Sequence, residues 1–352
     1  MTDQLLISVE NGVGRIRLNR PKAIHALTSQ MCAGMIDTLL AWRKDDNMVA
    51  VMIDHAEGRG FCAGGDIAML ATSAQGDCRE AEEFFFLEYR LNHLLFVYQK
   101  PVVAFIDGIV MGGGVGISDP ARYRVATERT TYAMPESGIG LFPDVGGGWF
   151  LPRMPGRTGA WLATTGARIK GADCAAIGIA THYMASDRLD LVKAEILADP
   201  ARLPEILDRN AEAPPPSDWE SQRADIDRLF AADRYEDILA ALAADGGAWA
   251  NAQRAVLATK SPQAIKVALR QMREGAAFTD FADNMRNEYR LGCHVIRRPD
   301  FVEGVRAVIF DKDNAPRWNP ATPEDVTDAL VGSLFAPLPA EREWTPLPEL
   351  EA

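Results

Sequence analysis

The five histidines of this 352-residue chain form no H-E-x-x-H pair or other ligand cluster, and the five cysteines (Cys32, Cys62, Cys78, Cys174, Cys293) form no C-x-x-C pair. No metal site is therefore expected. Scattered cysteines, odd in number, point to reduced thiols rather than a disulfide framework. No serine stands in a G-x-S-x-G elbow, because Ser137-Gly-Ile-Gly140 lacks the preceding glycine; a serine hydrolase is disfavoured. There is neither a G-x-G-x-x-G run followed by a suitably spaced acid nor a G-x-x-x-x-G-K-[ST] run, which disfavours dinucleotide and P-loop chemistry. Basic residues are outnumbered 49 to 37, a net charge of −12. Nucleic-acid binding driven by bulk electrostatics is disfavoured, and an anionic ligand would need its own local cations. Apolar runs are broken by Gly, Asp or Pro well short of a membrane span. The first nine residues show neither a secretory signal nor an Arg-rich transit peptide. The expectation is a cytoplasmic protein with no membrane or nucleic-acid partner.

Hydrophobic residues make up 47% of the chain, enough for a packed core. Residues 4–20 alternate around Asn11-Gly12, a hairpin signal. Met31, Met35, Ile36, Leu39 and Leu40 recur at helical spacing behind Thr28, a natural N-cap. Val49–Asp54 and Val102–Ile106 read as buried strands, each followed by a glycine turn. A long helical pattern spans 81–99, and short strands are expected at 122–126 and 130–133. Strand, glycine turn, helix and strand again is the grammar of an α/β domain, in which ligands gather at the carboxyl ends of strands. Helix formers dominate after residue 190, broken by Ala213-Pro-Pro-Pro216, and residues 280–312 are amphipathic. The Pro-rich tail from Asn314 is expected to be irregular.

Three segments carry chemistry: Gly60-Phe-Cys-Ala-Gly-Gly-Asp66, Met111-Gly-Gly-Gly-Val-Gly116 and Met134-Pro-Glu-Ser-Gly-Ile-Gly-Leu-Phe-Pro-Asp-Val-Gly-Gly-Gly148. Glycine turns can aim bare N–H groups at a developing oxyanion, and carboxylates can move protons or attack a carbonyl. Glu136 and Asp144 stand among apolar and turn residues, a setting for a raised pKa. Asp144 fits equally well as the N-cap of a helix beginning in the glycine run. Glu88, in an aromatic helical stretch, either pairs with a cation such as Arg90 or points into a site.

The glycine turns and Pro135-Glu136 resemble the crotonase (enoyl-CoA hydratase/isomerase) superfamily, as does Asn19-Arg-Pro-Lys-Ala-Ile-His-Ala-Leu27, with His25 where Asn is usual. The run Ala133–Arg153, together with Thr165–Gly171, Gly178–Tyr183 and Glu303–Lys312, resembles more narrowly the 3-hydroxyisobutyryl-CoA hydrolases within it. The likeness spans roughly residues 5–320. It implies a spiral of repeated β-β-α units over residues 1–190 that binds acyl-CoA, followed by a mainly helical region and irregular tail over 191–352. It implies no separate cofactor, coenzyme A being part of the substrate, and a homo-oligomer, a trimer or a hexamer.

The resemblance also implies roles. The N–H groups of Gly65 and Gly113 would form the oxyanion hole for the thioester oxygen. Glu136 and Asp144 would be catalytic, and Glu88 would meet the substrate hydroxyl. Lys22 would face the coenzyme A phosphates, with Ala63, Asp66 and Ile67 along its adenine and pantetheine end. Hydratases of the superfamily use two glutamates; the second matches Glu136, whereas the first falls on Gly116. The resemblance thus implies hydrolysis of a short branched 3-hydroxyacyl-CoA, as in valine breakdown. Alternatives are enoyl-CoA hydration or isomerisation, and a non-catalytic CoA- or RNA-binding relative. One departure stands out: Asp119-Pro-Ala-Arg122 replaces the family's usual Val-His-Gly-Arg, and Pro120 is expected to disturb a helix there.

Overall fold

The computed structural model describes residues 3–350. Strands β1 (Leu5–Glu10) and β2 (Val13–Leu18) pair antiparallel around Asn11-Gly12. Both turn residues have positive φ (49° and 79°), the type I′ geometry that matches strand twist. Helix α1 (Ser29–Lys44) starts where Thr28 Oγ1 accepts the Met31 N–H. It buries Met31, Met35, Ile36 and Leu39.

Three β-β-α units then follow. The first is β3 (Ala50–His55) and β4 (Gly60–Cys62) with α2 (Ile67–Ala74) and the long α3 (Arg79–Phe96). The second is β5 (Val102–Phe105) and β6 (Ile109–Met111) with the single turn α4 (Gly113–Gly116). The third is β7 (Tyr123–Ala126) and β8 (Thr131–Ala133) with a 3-10 turn, Glu136–Ile139, and then α5 (Gly147–Phe150). After α6 (Thr158–Thr165) come the short strands β9 (Ile169–Lys170) and β10 (His182–Tyr183). The first strand of each unit enters a six-stranded sheet, β1-β2-β3-β5-β7-β10, and the second a four-stranded sheet, β4-β6-β8-β9. The chain therefore winds as a spiral that alternates between two sheets. Within each sheet the strands of successive units run parallel.

The large sheet is covered on both faces, which explains why its strands read as continuous apolar runs. Val51 and Ile53 point into the main core, whereas Ala50 and Met52 point into a second layer with Val103, Phe105 and Val125. Helices Leu189–Ala198 and Leu203–Asn210 close that second layer through Leu189, Val192, Ile196 and Leu207.

From Leu189 onward the described residues are helical or irregular. Exposed residues 211–216 connect helix Leu203–Asn210 to helix Asp218–Leu229, at the proline run. Helices Pro262–Gly275 and Phe281–Val295 return to pack on α5, α6 and α3. One apolar cluster extends from Leu5 to Leu347. The tail differs from the expected irregular segment. It contains a helix, Asp328–Leu334, capped by Thr327, and it buries Trp344 completely. Apolar side chains at Val331, Leu334, Leu338 and Leu347 anchor it despite the prolines. At Pro120 the chain is in a turn: α4 is a single turn ending at Gly116, the residue whose carbonyl an N–H at position 120 would have bonded, as expected for a proline there.

Candidate active site

Residues 63–65, 112–113 and 134–136 each follow a strand of the small sheet, β4, β6 and β8 respectively. Because these strands are parallel neighbours, the three segments lie side by side at one edge and line a cavity of about 520 Å³. That size is within the range of small-molecule sites.

Gly65 and Gly113 both line the cavity. Gly113 is the first residue of α4, where a helix leaves its N–H groups without partners. Among the described residues, neither the Gly65 nor the Gly113 N–H donates to another backbone group outside a regular element. A Cβ at 113 would lie 2.3 Å from Glu88 Oε1, so any larger residue there would displace the Glu88 carboxyl. At Gly112 a Cβ would lie 3.1 Å from Glu136 Oε1. The two carboxyl groups therefore flank the glycine turn from α3 and from the 3-10 turn after β8.

Glu88, Glu136 and Asp144 are all buried, and all three line the cavity. Glu88 Oε1 and Glu136 Oε2 have no hydrogen-bond partner. Arg90, one choice for pairing with Glu88, instead donates to Thr345. Burial pushes the Glu88 carboxyl well up, reinforced by Asp144, Glu136 and Glu288. Glu136 is raised by burial and then by Asp144. Asp144 is raised by burial to about 6, against a 2.7 Å hydrogen bond donated by Tyr89 Oη that favours its charged form. Burial and mutual repulsion thus both oppose full ionisation of these carboxyls.

Asp144 does not cap the following helix. The helix N-cap is Gly146, and the Gly146 and Gly148 N–H groups donate instead to the Glu288 carboxylate, at 2.8 and 2.9 Å. The Asp144 side chain is thereby left to the cavity and to Tyr89.

Gly116, where the first hydratase glutamate would fall, has no room for a side chain. A Cβ there would lie 2.6 Å from Val145 Cβ and 2.7 Å from Asn92 Nδ2. Asn92 stands one helical turn beyond Glu88 on α3, so Glu88 and Asn92 pack over Gly113 and Gly116 in register. Asp119 is buried behind the site and accepts a 3.0 Å bond from Tyr132 Oη.

Of the remaining residues expected from sequence, Ala63 and Ile67 line the cavity. Asp66 does not. Its carboxylate caps α2 through the Met69 N–H and pairs with Arg20 at 2.9 Å. Lys22 is exposed on a 3-10 turn and is not among the cavity-lining residues. The cations that do reach the cavity are Arg168 and Lys260. Ser261 places Lys260: its N–H donates to Ser137 O at 3.0 Å, and its Oγ caps helix Pro262–Gly275. Burial, then the Arg168 charge, lowers the Lys260 pKa. Among the described residues neither cation has a carboxylate within 4 Å, in a chain rich in ion pairs. Val308, Ile309 and Asn314 complete the wall from the C-terminal region. Sequence reading missed Lys260, Tyr89 and Glu288. Lys260 and Glu288 reach the site only through folding of distant helices. Arg168 lies in the Thr165–Gly171 motif but carried no sign of its direction.

A family model described as Enoyl-CoA hydratase/isomerase matches residues 13–335. The chain belongs to the enoyl-CoA hydratase/isomerase family. Among relatives in this family, a protein named 3-hydroxyisobutyryl-CoA hydrolase, mitochondrial, from Danio rerio is 43% identical over 95% of this chain and 90% of its own length. The Homo sapiens protein of the same name is 40% identical over 96% and 89%. A solved structure described as a carnitinyl-CoA dehydratase from Mycobacterium thermoresistibile superposes with a TM-score of 0.93 at 43% identity, covering 98% of this chain and 99% of that one. One described as an enoyl-CoA hydratase from Rhodobacter sphaeroides gives 0.90 at 36% identity, covering 97% and 99%. The crotonase fold of the family is thus the fold of this chain.

Proposed function

We propose that this chain is a thioester hydrolase of the 3-hydroxyisobutyryl-CoA hydrolase type, releasing 3-hydroxyisobutyrate and coenzyme A in valine breakdown. The observation that carries this reading is the pairing of Glu136 with Asp144 in the cavity while position 116 is closed by Asn92 and Val145. Hydration of an enoyl-CoA in this superfamily needs a second glutamate at 116, and the packing leaves none a place. The sequence relatives named as hydrolases support the same reading.

In the proposed mechanism, the Gly65 and Gly113 N–H groups hold the thioester oxygen as it becomes an oxyanion. Preorganised donors of this kind contribute most when water is excluded, each about 3 kcal/mol. Glu136 either removes a proton from water, whose oxygen then bonds to the acyl carbon, or bonds to that carbon itself as a mixed anhydride, which water then hydrolyses to release the acid and free Glu136. In both routes the C–S bond breaks and the thiolate sulfur takes a proton, which Asp144 would give. Glu88 would hydrogen-bond the 3-hydroxyl from the far side of Gly113. Solvent ¹⁸O on Glu136 after a single turnover in ¹⁸O water would establish the anhydride route, because only attack of water on the glutamyl carbon of an anhydride puts it there. Arg168 and Lys260, which line the cavity as Lys22 does not, would meet the coenzyme A phosphates.

The decisive assay is thiol release from 3-hydroxyisobutyryl-CoA, with crotonyl-CoA in parallel. Release from the first alone supports the proposal. Loss of crotonyl absorbance without thiol release would replace it with hydration, as the neighbouring structures described as hydratase and dehydratase suggest.

A further inference from the structure

Glu288 is the fourth acid of the cluster, and the mechanism above does not use it. It is wholly buried on helix Phe281–Val295. One carboxylate oxygen accepts the Gly146 N–H. The other accepts the Gly148 N–H, Asn284 Nδ2 at 2.9 Å and Gln271 Nε2 at 3.1 Å. The same Gln271 nitrogen donates to Pro143 O at 2.9 Å. Two C-terminal helices thus grip the backbone on both sides of Asp144, at Pro143 and at Gly146–Gly148. The fit is close: a Cβ on Gly148 would lie 2.5 Å from Asn284 Oδ1.

The acid type at 288 needs an explanation. Four N–H donors converge on its two oxygens, whereas an amide in the same place would turn an NH₂ group toward at least one of those donors. Burial raises the Glu288 pKa to about 8 despite the donors. The nearest acids facing it, Asp144 with Glu88 and Glu136 beyond, add repulsion. An apolar side chain at 288 would leave these buried donors, the Gly146 and Gly148 N–H groups among them, without this acceptor, so the acid fastens the loop that carries Asp144.

We propose that Glu288 is a positioning residue for Asp144, using its carboxylate to hold residues 143–148 so that the Asp144 side chain is aimed at the thioester. The proposal rests on the hydrolase reading for its reaction but not for its geometry. Glu288 touches neither the cavity lining nor Asp144 by hydrogen bond.

The test pairs Glu288→Gln and Gln271→Met with two readouts. The first is steady-state thiol release. Misplacing a reacting group by about 1 Å costs about 100-fold, so kcat of Glu288→Gln should fall by that order. KM should stay within about threefold, since the glycine turns and the cavity-lining cations are untouched; a general folding defect would instead lower active-enzyme concentration without this selective loss per folded molecule. The second readout is hydrogen exchange of the Gly146 and Gly148 amides, which needs no substrate and should quicken in both variants. Gln271→Met keeps Glu288 and should show the same pattern at about a tenfold loss in kcat, and it carries the test if Glu288→Gln does not fold. A near-wild-type kcat in variants whose Gly146 and Gly148 amides exchange faster would overturn the proposal, as would unchanged exchange. A wild-type protein that releases no thiol would sink the hydrolase reading instead, and the exchange readout would still decide whether Glu288 grips the loop.

Discussion

Replacing Tyr89 by Phe removes one atom from the site and little else. The ring stacks on Phe85, with centroids 5.6 Å apart, and that packing survives the change. The lost hydroxyl is the donor of the 2.7 Å bond to Asp144 Oδ2, in a fully buried position. A hydrogen bond to a charged group contributes about 1.5–3 kcal/mol, and 1.36 kcal/mol corresponds to one pH unit of pKa. The bond favours ionised Asp144, so its loss should move the Asp144 pKa from about 6 to about 7–8. The sign is the same for either role of Asp144. If the ionised form is needed, activity falls on the acid side, and that limb moves up in pH. If the protonated form delivers the proton to sulfur, activity falls on the alkaline side, and that limb also moves up. The assay is kcat/KM for thiol release between pH 5 and 9, wild type against Tyr89→Phe. A limb that stays in place, or moves toward acid, would refute the assignment of Asp144 as a titrating group of the reaction.

Glu136→Gln and Asp144→Asn should each lower kcat by about 10²–10⁴-fold, measured by the same thiol release, and turnover near wild type would remove either from the mechanism. Glu136→Gln should also stabilise the ligand-free protein. A carboxyl whose pKa is raised on folding contributes most below its unfolded pKa, and that contribution is lost as pH rises toward the folded value. The gain in Tm over wild type should therefore grow between pH 5 and pH 8, and a constant or shrinking gain in differential scanning would contradict the buried-acid account. Lys260→Met should raise KM for acyl-CoA by about tenfold or more, as expected for a lost charge-assisted bond. It should leave KM for the corresponding N-acetylcysteamine thioester, which has no phosphates, nearly unchanged. Gly116→Glu should yield no crotonyl-CoA hydration and should destabilise the fold by about 1–3 kcal/mol through overpacking against Asn92 and Val145; hydration activity in this variant would show that the packing does not decide the chemistry.

Local signals were legible in the sequence where local physics decides. The Asn11-Gly12 hairpin, the Thr28 cap and the strands ahead of the glycine turns each depend on a few adjacent residues. The cavity placement of Glu136, Asp144 and Glu88 matches what the family resemblance implied, whereas spacing alone left Asp144 open as an N-cap and Glu88 open as an ion-pair partner. What was not legible depended on distance along the chain. Asp144 looked like an N-cap because nothing near it in sequence announces Glu288 as a competing acceptor for the Gly146 and Gly148 N–H groups. Lys22 stood out because it lies in a conspicuous motif, whereas Lys260, which lines the cavity, gains its position from a bond between Ser261 and Ser137 across the fold. The tail looked irregular because prolines are read locally and the burial of Trp344 is not.

The grip on the Asp144 loop has a consequence for synthesis. Glu288 lies 140 residues after Gly148 in the chain. At a ribosomal rate of about 5–20 residues per second, the spiral with its glycine turns and carboxylates emerges about 7–28 seconds before the helix that holds the loop. During that interval the nascent chain carries the glycine turns, Glu88, Glu136 and Asp144, yet the Gly146 and Gly148 amides still lack their acceptor. Assembly of the site therefore ends with translation of its C-terminal helices, and a message truncated between these points yields a protein with the turns and acids but without their fastening.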